Sequence, residues 1–184
     1  MDVFDALVGR SSPAQLVDPG PDDAQIERML RAAVSAPDHG RMRPWRFIVI
    51  RGEARSRFGQ LMAESLKRRE PTAPEDKLDA ERKKAWRAPV IVIVAAVLQE
   101  NPKVPAIEQI LAAGAAAQNM MTAAEAMGMG ALWRTGPVAY DPDVKMALEL
   151  SSDDSIVAII YIGTVGLHGK PRPPLDTESV SRRW

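Results

Sequence analysis

The chain has no cysteine, only two histidines, and aromatic side chains at 5% of its 184 positions. Without cysteine there are no disulfides, no thiolate nucleophile and no thiolate-bound metal. Two histidines as far apart as His39 and His168 cannot build a zinc site unaided. Neither sign of charge is in excess, because 24 basic residues balance 24 acidic ones. A nucleic-acid-binding face usually shows as a basic surplus, so no nucleic-acid partner is expected. The opening Met1-Asp2-Val3-Phe4-Asp5 has neither the basic stretch nor the apolar core of a signal peptide, which makes a cytoplasmic location the expectation. The longest apolar stretch, Ile110 to Leu132, carries Gln118, Asn119 and Glu125 and favours Ala and Gly over Leu. It reads as a buried helix, and no membrane partner is expected.

Familiar catalytic motifs are missing too. There is no GxxxxGK[ST] phosphate loop and no GxSxG nucleophile elbow. Gly128-Met129-Gly130 begins like a dinucleotide fingerprint, but Trp133 stands where the third glycine belongs. It also joins a helix to a strand, the reverse of the required order, and is read as a helix stop. No nucleophile with an accompanying base is evident.

What is present fits one domain spanning residues 1–184, long enough to bury a substantial core. Asp2 to Gly9 reads as a short helix with Val3, Phe4, Leu7 and Val8 on one side. Asp22 with Gln25 forms a capping box, and Ile26, Met29, Leu30, Ala33 and Val34 follow at helical spacing. Trp45 to Ile50 is a strand, Glu53 to Arg69 a helix, and Asp76 to Arg87 a charged and largely exposed helix. Pro89 to Val97 (PVIVIVAAV) is the pattern of a strand buried on both faces. Ala106 to Met129 is the longest helix, Ala131 to Arg134 a short strand, and Pro142 to Leu150 a helix capped by Asp141. Ile156 to Gly163 is the last strand, and from Leu167 an extended tail follows. Four strands scattered among helices give an α+β class: a central mixed, mainly antiparallel sheet flanked by helices.

Three polar segments sit at the ends of these elements. Arg10-Ser11-Ser12 offers a guanidinium and two hydroxyls, suited to a phosphate or polyol, though an ordinary serine-rich turn has the same composition. The turn from Pro37 to Arg46 holds His39, three arginines, Trp45 and two prolines. Trp133-Arg134-Thr135-Gly136 puts a cation and a hydroxyl beside a large aromatic; a core tryptophan next to a surface arginine fits equally. One flat anionic ligand, flavin mononucleotide (FMN), would use all three kinds of group. Hydride transfer takes place on the flavin itself, so the missing nucleophile and base are then no obstacle.

Arg10-Ser11-Ser12, the block Ala36-Pro37-Asp38-His39…Pro44-Trp45-Arg46-Phe47, and Trp133-Arg134-Thr135-Gly136 together resemble the nitroreductase family, in particular its small YdjA-type branch. The resemblance covers nearly the whole chain and is weakest from Glu70 to Lys84 and in the tail. It implies a nitroreductase-like homodimer with two FMN sites at the subunit interface. It further implies an NAD(P)H oxidoreductase that reduces nitroaromatics, quinones or similar small aromatic acceptors by ping-pong hydride transfer, with NAD(P)H as co-substrate; an FMN-binding carrier or sensor is the alternative. By the same resemblance, Arg10, Ser11, Ser12 and His39 would come from one subunit and Trp133, Arg134 and Thr135 from the other. Ser35 stands at a further cofactor position, Lys170 or Arg172 would hold the phosphate, and 123–128 matches a nicotinamide-nucleotide segment. Ser11, Ala14, Gln15 and Ser35 occupy places where family members often carry basic residues, so fewer cations than usual surround the ligand.

Overall fold

The β-branched run after Pro89 sets the architecture. The strand it forms, β3 (Val90–Ala96), is buried at every position, so both its faces must be covered. Val90, Val92, Val94 and Ala96 join one core with Ile26, Met29 and Ala116. Ile91, Ile93 and Ala95 join a second with Phe58, Met62 and Ile159. Strand alternation thus divides the protein into a helical layer, a sheet and a second helical layer. The structure is a computed structural model that describes residues 2–169 and 176–184.

The other strands are β1 (Gln15–Val17), β2 (Trp45–Arg51), β4 (Gly130–Arg134) and β5 (Ser155–Leu167). Their order is β1-β5-β3-β2, and β4 also pairs with β5. Every pairing among the described residues is antiparallel, so the parallel component allowed by a mixed sheet is not seen there. Trp45, Ala96 and Ser155 lie abreast at one end of the sheet. Gly130 pairs with Gly163, and Val17 with Thr164, toward the other end. The 13 residues of β5 separate these ends by roughly 40 Å at ~3.3 Å per residue.

The helices are α1 (Val3–Gly9), α2 (Asp23–Ala33), α3 (Ala54–Arg69), α4 (Glu75–Lys83), α5 (Ala106–Ala126) and α6 (Pro142–Ala147). The Asp22–Gln25 capping box forms in both directions. The 21 residues of α5 make a rod of roughly 30 Å. It packs on α2, and Asn119 Nδ2 donates to the Ala32 carbonyl at 3.2 Å. Small residues permit this: Ala113, Ala116, Ala117 and Ala124 are fully buried along the contact face.

Several boundaries differ from expectation. Among the described residues there are five strands, because Gln15–Val17 pairs with the far end of β5. Three residues carry too little periodicity to announce a strand. β5 continues past Gly163 to Leu167, so the expected start of the tail is still sheet. The helix expected over 76–87 is α4 followed by a 3₁₀ turn, Lys84–Trp86, whose Ala85 is fully buried. α5 ends at Ala126 before Gly128 in a left-handed conformation (φ 75), and α6 ends at Ala147. The apolar side of α1 faces outward: Val3, Phe4, Leu7 and Val8 are exposed and Ala6 is buried. No helix among the described residues is long and apolar enough to cross a membrane.

Candidate functional site

α1 ends at Gly9, and the next residues run along the edge of the sheet. The Ala14 N–H donates to the Leu167 carbonyl at 2.9 Å. Gly169 approaches so closely that a Cβ there would stand 2.1 Å from the Ser12 carbonyl oxygen. Arg10 and Ser11 are half-buried and Ser12 is exposed, all beside the point where the chain leaves β5. Lys170 and Arg172 lie outside the described residues.

The turn between α2 and β2 is held at several points. Asp38 accepts the Arg43 N–H at 2.7 Å, Gln99 Nε2 donates to the Met42 carbonyl at 2.9 Å, and Val97 N–H donates to the Pro44 carbonyl at 2.8 Å. His39 Nδ1 pairs with the Glu108 carboxylate in the first turn of α5. Gly40, Arg41 and Arg43 all have left-handed backbones, with φ of 69, 53 and 48. For the two arginines that conformation costs on the order of 1–3 kcal/mol each, and such strain collects at functional sites. Buried Gln109 supports the neighbouring loop, accepting from Gln99 N–H and donating to the Gln99 carbonyl at 2.8 Å. Glu108 and Gln109 were not legible as site residues, since each reads as an ordinary polar position on a helix.

The third segment is split by strand geometry. Trp133 packs against the α2–α5 core, whereas Leu132 packs on the opposite core. Arg134, two residues from Leu132, shares its face, and Thr135 is exposed just beyond the strand. Arg134 lines a cleft of about 420 Å³ with Pro13, Ala14, Gln15, Leu16, Trp86, Arg87 and Leu132. Beneath the cleft lies the buried Tyr161, paired with Leu132 across the strands. Burial pushes its hydroxyl pKa up, Arg87 and Arg134 pull it down and Glu81 raises it, leaving a net rise. Trp86 and Arg87 escaped the sequence reading because they fall in the stretch taken for an exposed helix.

Ser35 lies elsewhere. Its hydroxyl donates to the Ala32 carbonyl at 2.7 Å, and it borders a separate groove of about 480 Å³ with Val3, Ala6, Leu7, Asn119 and Ala123. Ala123 and Ala126 of the 123–128 segment line the same groove. Within one chain the residues expected at the site therefore do not form a single cluster. Arg10–Ser12 stand at the Leu167 end of β5, Arg134 pairs with Ile159 nearer its middle and shares a cleft with Pro13–Leu16, and His39 stands at the Ser155 end of the sheet. The length of β5 thus separates His39 from Arg10–Ser12 within one chain.

The nitroreductase family model matches residues 8–164. The Escherichia coli (strain K12) protein named "Putative NAD(P)H nitroreductase YdjA" is 39% identical over 165 residues, covering 89% of this chain and 88% of that one. The chain belongs to the nitroreductase family. A Haemophilus influenzae relative, "Putative NAD(P)H nitroreductase", is 33% identical over 89% of each chain. The crystal structure of a nitroreductase-like family protein from Bacillus cereus superposes with a TM-score of 0.85 at 19% identity, covering 100% of this chain and 96% of that one. A nitroreductase from Desulfovibrio desulfuricans, crystallised in complex with FMN, gives 0.74 at 25% identity over 100% and 98%. The fold is thus the nitroreductase fold and the protein an oxidoreductase of that family.

Proposed function

We propose that this nitroreductase-family protein is an FMN-dependent NAD(P)H oxidoreductase, acting as a cytoplasmic homodimer on nitroaromatic, quinone or similarly electron-poor flat acceptors. The carrying observation is the cleft in which Arg134 meets the segment following Arg10-Ser11-Ser12. Its lining fits part of FMN: the guanidinium of Arg134 and the amide of Gln15 as donors, and an apolar wall of Leu16 and Leu132 for the ring. The hydroxyls of Ser11 and Ser12 are on the segment just before it. An FMN-bound family structure supports the cofactor, and the relatives' names support the nicotinamide nucleotide.

Bound FMN would supply the hydride-transfer chemistry linking NAD(P)H to the acceptor in alternating half-reactions. The chain's own residues bind and orient. Arg10, with Lys170 or Arg172, would hold the phosphate, and Ser11 and Ser12 the polyol. Arg134 would place a fixed positive charge beside the ring, where charge develops during transfer. His39, braced by Glu108, would complete the site from a second chain, with Trp133, Thr135 and Ser35 around it. Supporting a dimer, α1 exposes Val3, Phe4 and Val8, and α5 exposes Ile107 and Leu111. Apolar side chains gathered on helix faces in this way favour burial against a partner surface.

The test is an absorbance spectrum of the purified protein before and after anaerobic NADPH. A yellow protein that bleaches, then recovers colour with a nitroaromatic, is the expected result. A yellow protein unresponsive to either nucleotide would leave a flavin carrier or sensor, and a colourless protein indifferent to FMN would overturn the reading.

A further inference from the structure

We infer that Arg87 is a cofactor-binding residue, supplying beside the flavin ring the positive charge that Ala14 and Gln15 do not. This rests on the FMN reading above. The cleft holding Arg134 has Ala14 and Gln15 on one wall and Trp86 and Arg87 on another. No carboxylate is among the eight residues lining it, so its two guanidiniums are not neutralised by the cleft itself. Both line this one cleft, and both lower the pKa of the buried Tyr161 hydroxyl against the rise that burial gives it. Glu81, an acid that acts on that hydroxyl, is already paired with Lys84.

Arg87 is also well placed to be rigid. It follows the 3₁₀ turn Lys84–Trp86, its own N–H donates to the Lys84 carbonyl at 3.4 Å, and fully buried Ala85 and Ala88 anchor either side. The adjacent Trp86 ring is capped by the Arg55 guanidinium 4.1 Å from its centroid, while Arg55 also donates to the Ala88 carbonyl at 3.0 Å. Guanidiniums serve a phosphate or a negatively charged ring edge alike, and it is the aromatic edge and two leucines beside them that select a flat ring here. Arg87 would therefore bind the ring system, leaving the phosphate to Arg10. A cation there favours the ring more strongly when it carries the charge of the reduced form.

Fluorescence titration of the apoprotein with FMN and with riboflavin, together with the midpoint potential of the bound flavin, tests this. Arg87→Met should weaken both ligands alike, by about tenfold to a hundredfold as for a lost charge-assisted hydrogen bond, and lower the potential. Arg87→Lys, which keeps the charge and the backbone contacts, should recover most of both and guards against a folding defect in the first variant. Equal affinity and potential in wild type and Arg87→Met overturn the assignment, as does a loss confined to FMN, which would make Arg87 a phosphate ligand. Failure of the unaltered protein to bind either ligand overturns the FMN reading itself.

Discussion

His39 Nδ1 pairs with the carboxylate of Glu108, 69 positions along the chain, and so ties the turn after α2 to the start of α5. Both side chains are substantially exposed, at 58% and 40%. A contact so exposed contributes at most about 1 kcal/mol to folding, so its importance lies in orienting the imidazole. Glu108→Gln should leave the unfolding free energy within about 1 kcal/mol of wild type, while FMN affinity falls several-fold. Parallel urea unfolding and fluorescence titration check this. Equal losses in both would make the pair merely structural.

The sequence exposes the parts of this protein governed by local pattern. The Asp22–Gln25 capping box, the spacing of Ile26 and Met29, and the all-apolar β3 each follow from near neighbours in the chain. β1 was invisible because its three residues become a strand only through pairing with Val165 and Leu167. For the site, Arg134 was legible as a cation at a strand end. Its companions Trp86 and Arg87 were hidden, since only the fold brings residues so distant in sequence to one cleft. Trp133 and Arg134 looked like one cluster because adjacency in sequence conceals the alternation that sends them to opposite faces.

Asp141 predicts a pH dependence. It caps α6, accepting Asp143 N–H at 2.9 Å and Val144 N–H at 3.3 Å, and it accepts from Arg68 Nη2 at 2.8 Å. Burial raises its pKa, but the Ser65 hydroxyl, Arg68 and the two backbone N–H groups outweigh that and hold it below the ordinary 3.8. A depressed folded-state pKa gives stability that is present above the unfolded value and is lost as pH falls through the folded value. Asp141→Asn retains a capping oxygen and removes the charge. It should cost about 1–2 kcal/mol near neutral pH, and the gap from wild type should close only below pH ~4. Denaturant unfolding at several acid pH values checks it; a gap constant down to pH ~2 contradicts the charge-based account.

Gly59 tests the contact between α3 and the residues after it. A Cβ there would stand 2.7 Å from the Arg82 carbonyl oxygen and 3.3 Å from the Ala85 Cβ. Alanine gains roughly 1 kcal/mol of helix propensity over glycine. Forcing backbone apart costs typically 1–3 kcal/mol, so the clash should win. Gly59→Ala is expected to destabilise by about 1 kcal/mol on balance, read as a lower denaturation midpoint. A more stable variant would mean that the 3₁₀ turn at Lys84–Trp86 moves aside freely, weakening the rigid placement of Arg87.

The separation of Arg10 from His39 along β5 gives a test that needs two chains. If each FMN site takes Arg10 from one subunit and His39 from its partner, an Arg10→Ala homodimer and a His39→Ala homodimer each have two damaged sites. Mixing the two chains by reversible unfolding makes about half of the dimers mixed. In a mixed dimer one site receives both substitutions and the other receives neither, so about a quarter of all sites are restored. Were both residues drawn from the same chain, every site would carry one substitution and mixing would restore nothing. The expected outcome is recovery of tight FMN binding to about a quarter of the wild-type stoichiometry, measured by titration of the refolded mixture against each variant refolded alone. No recovery, with mixed dimers demonstrated by a size-tagged partner, would place His39 and Arg10 in one site of one chain and contradict the geometry of β5.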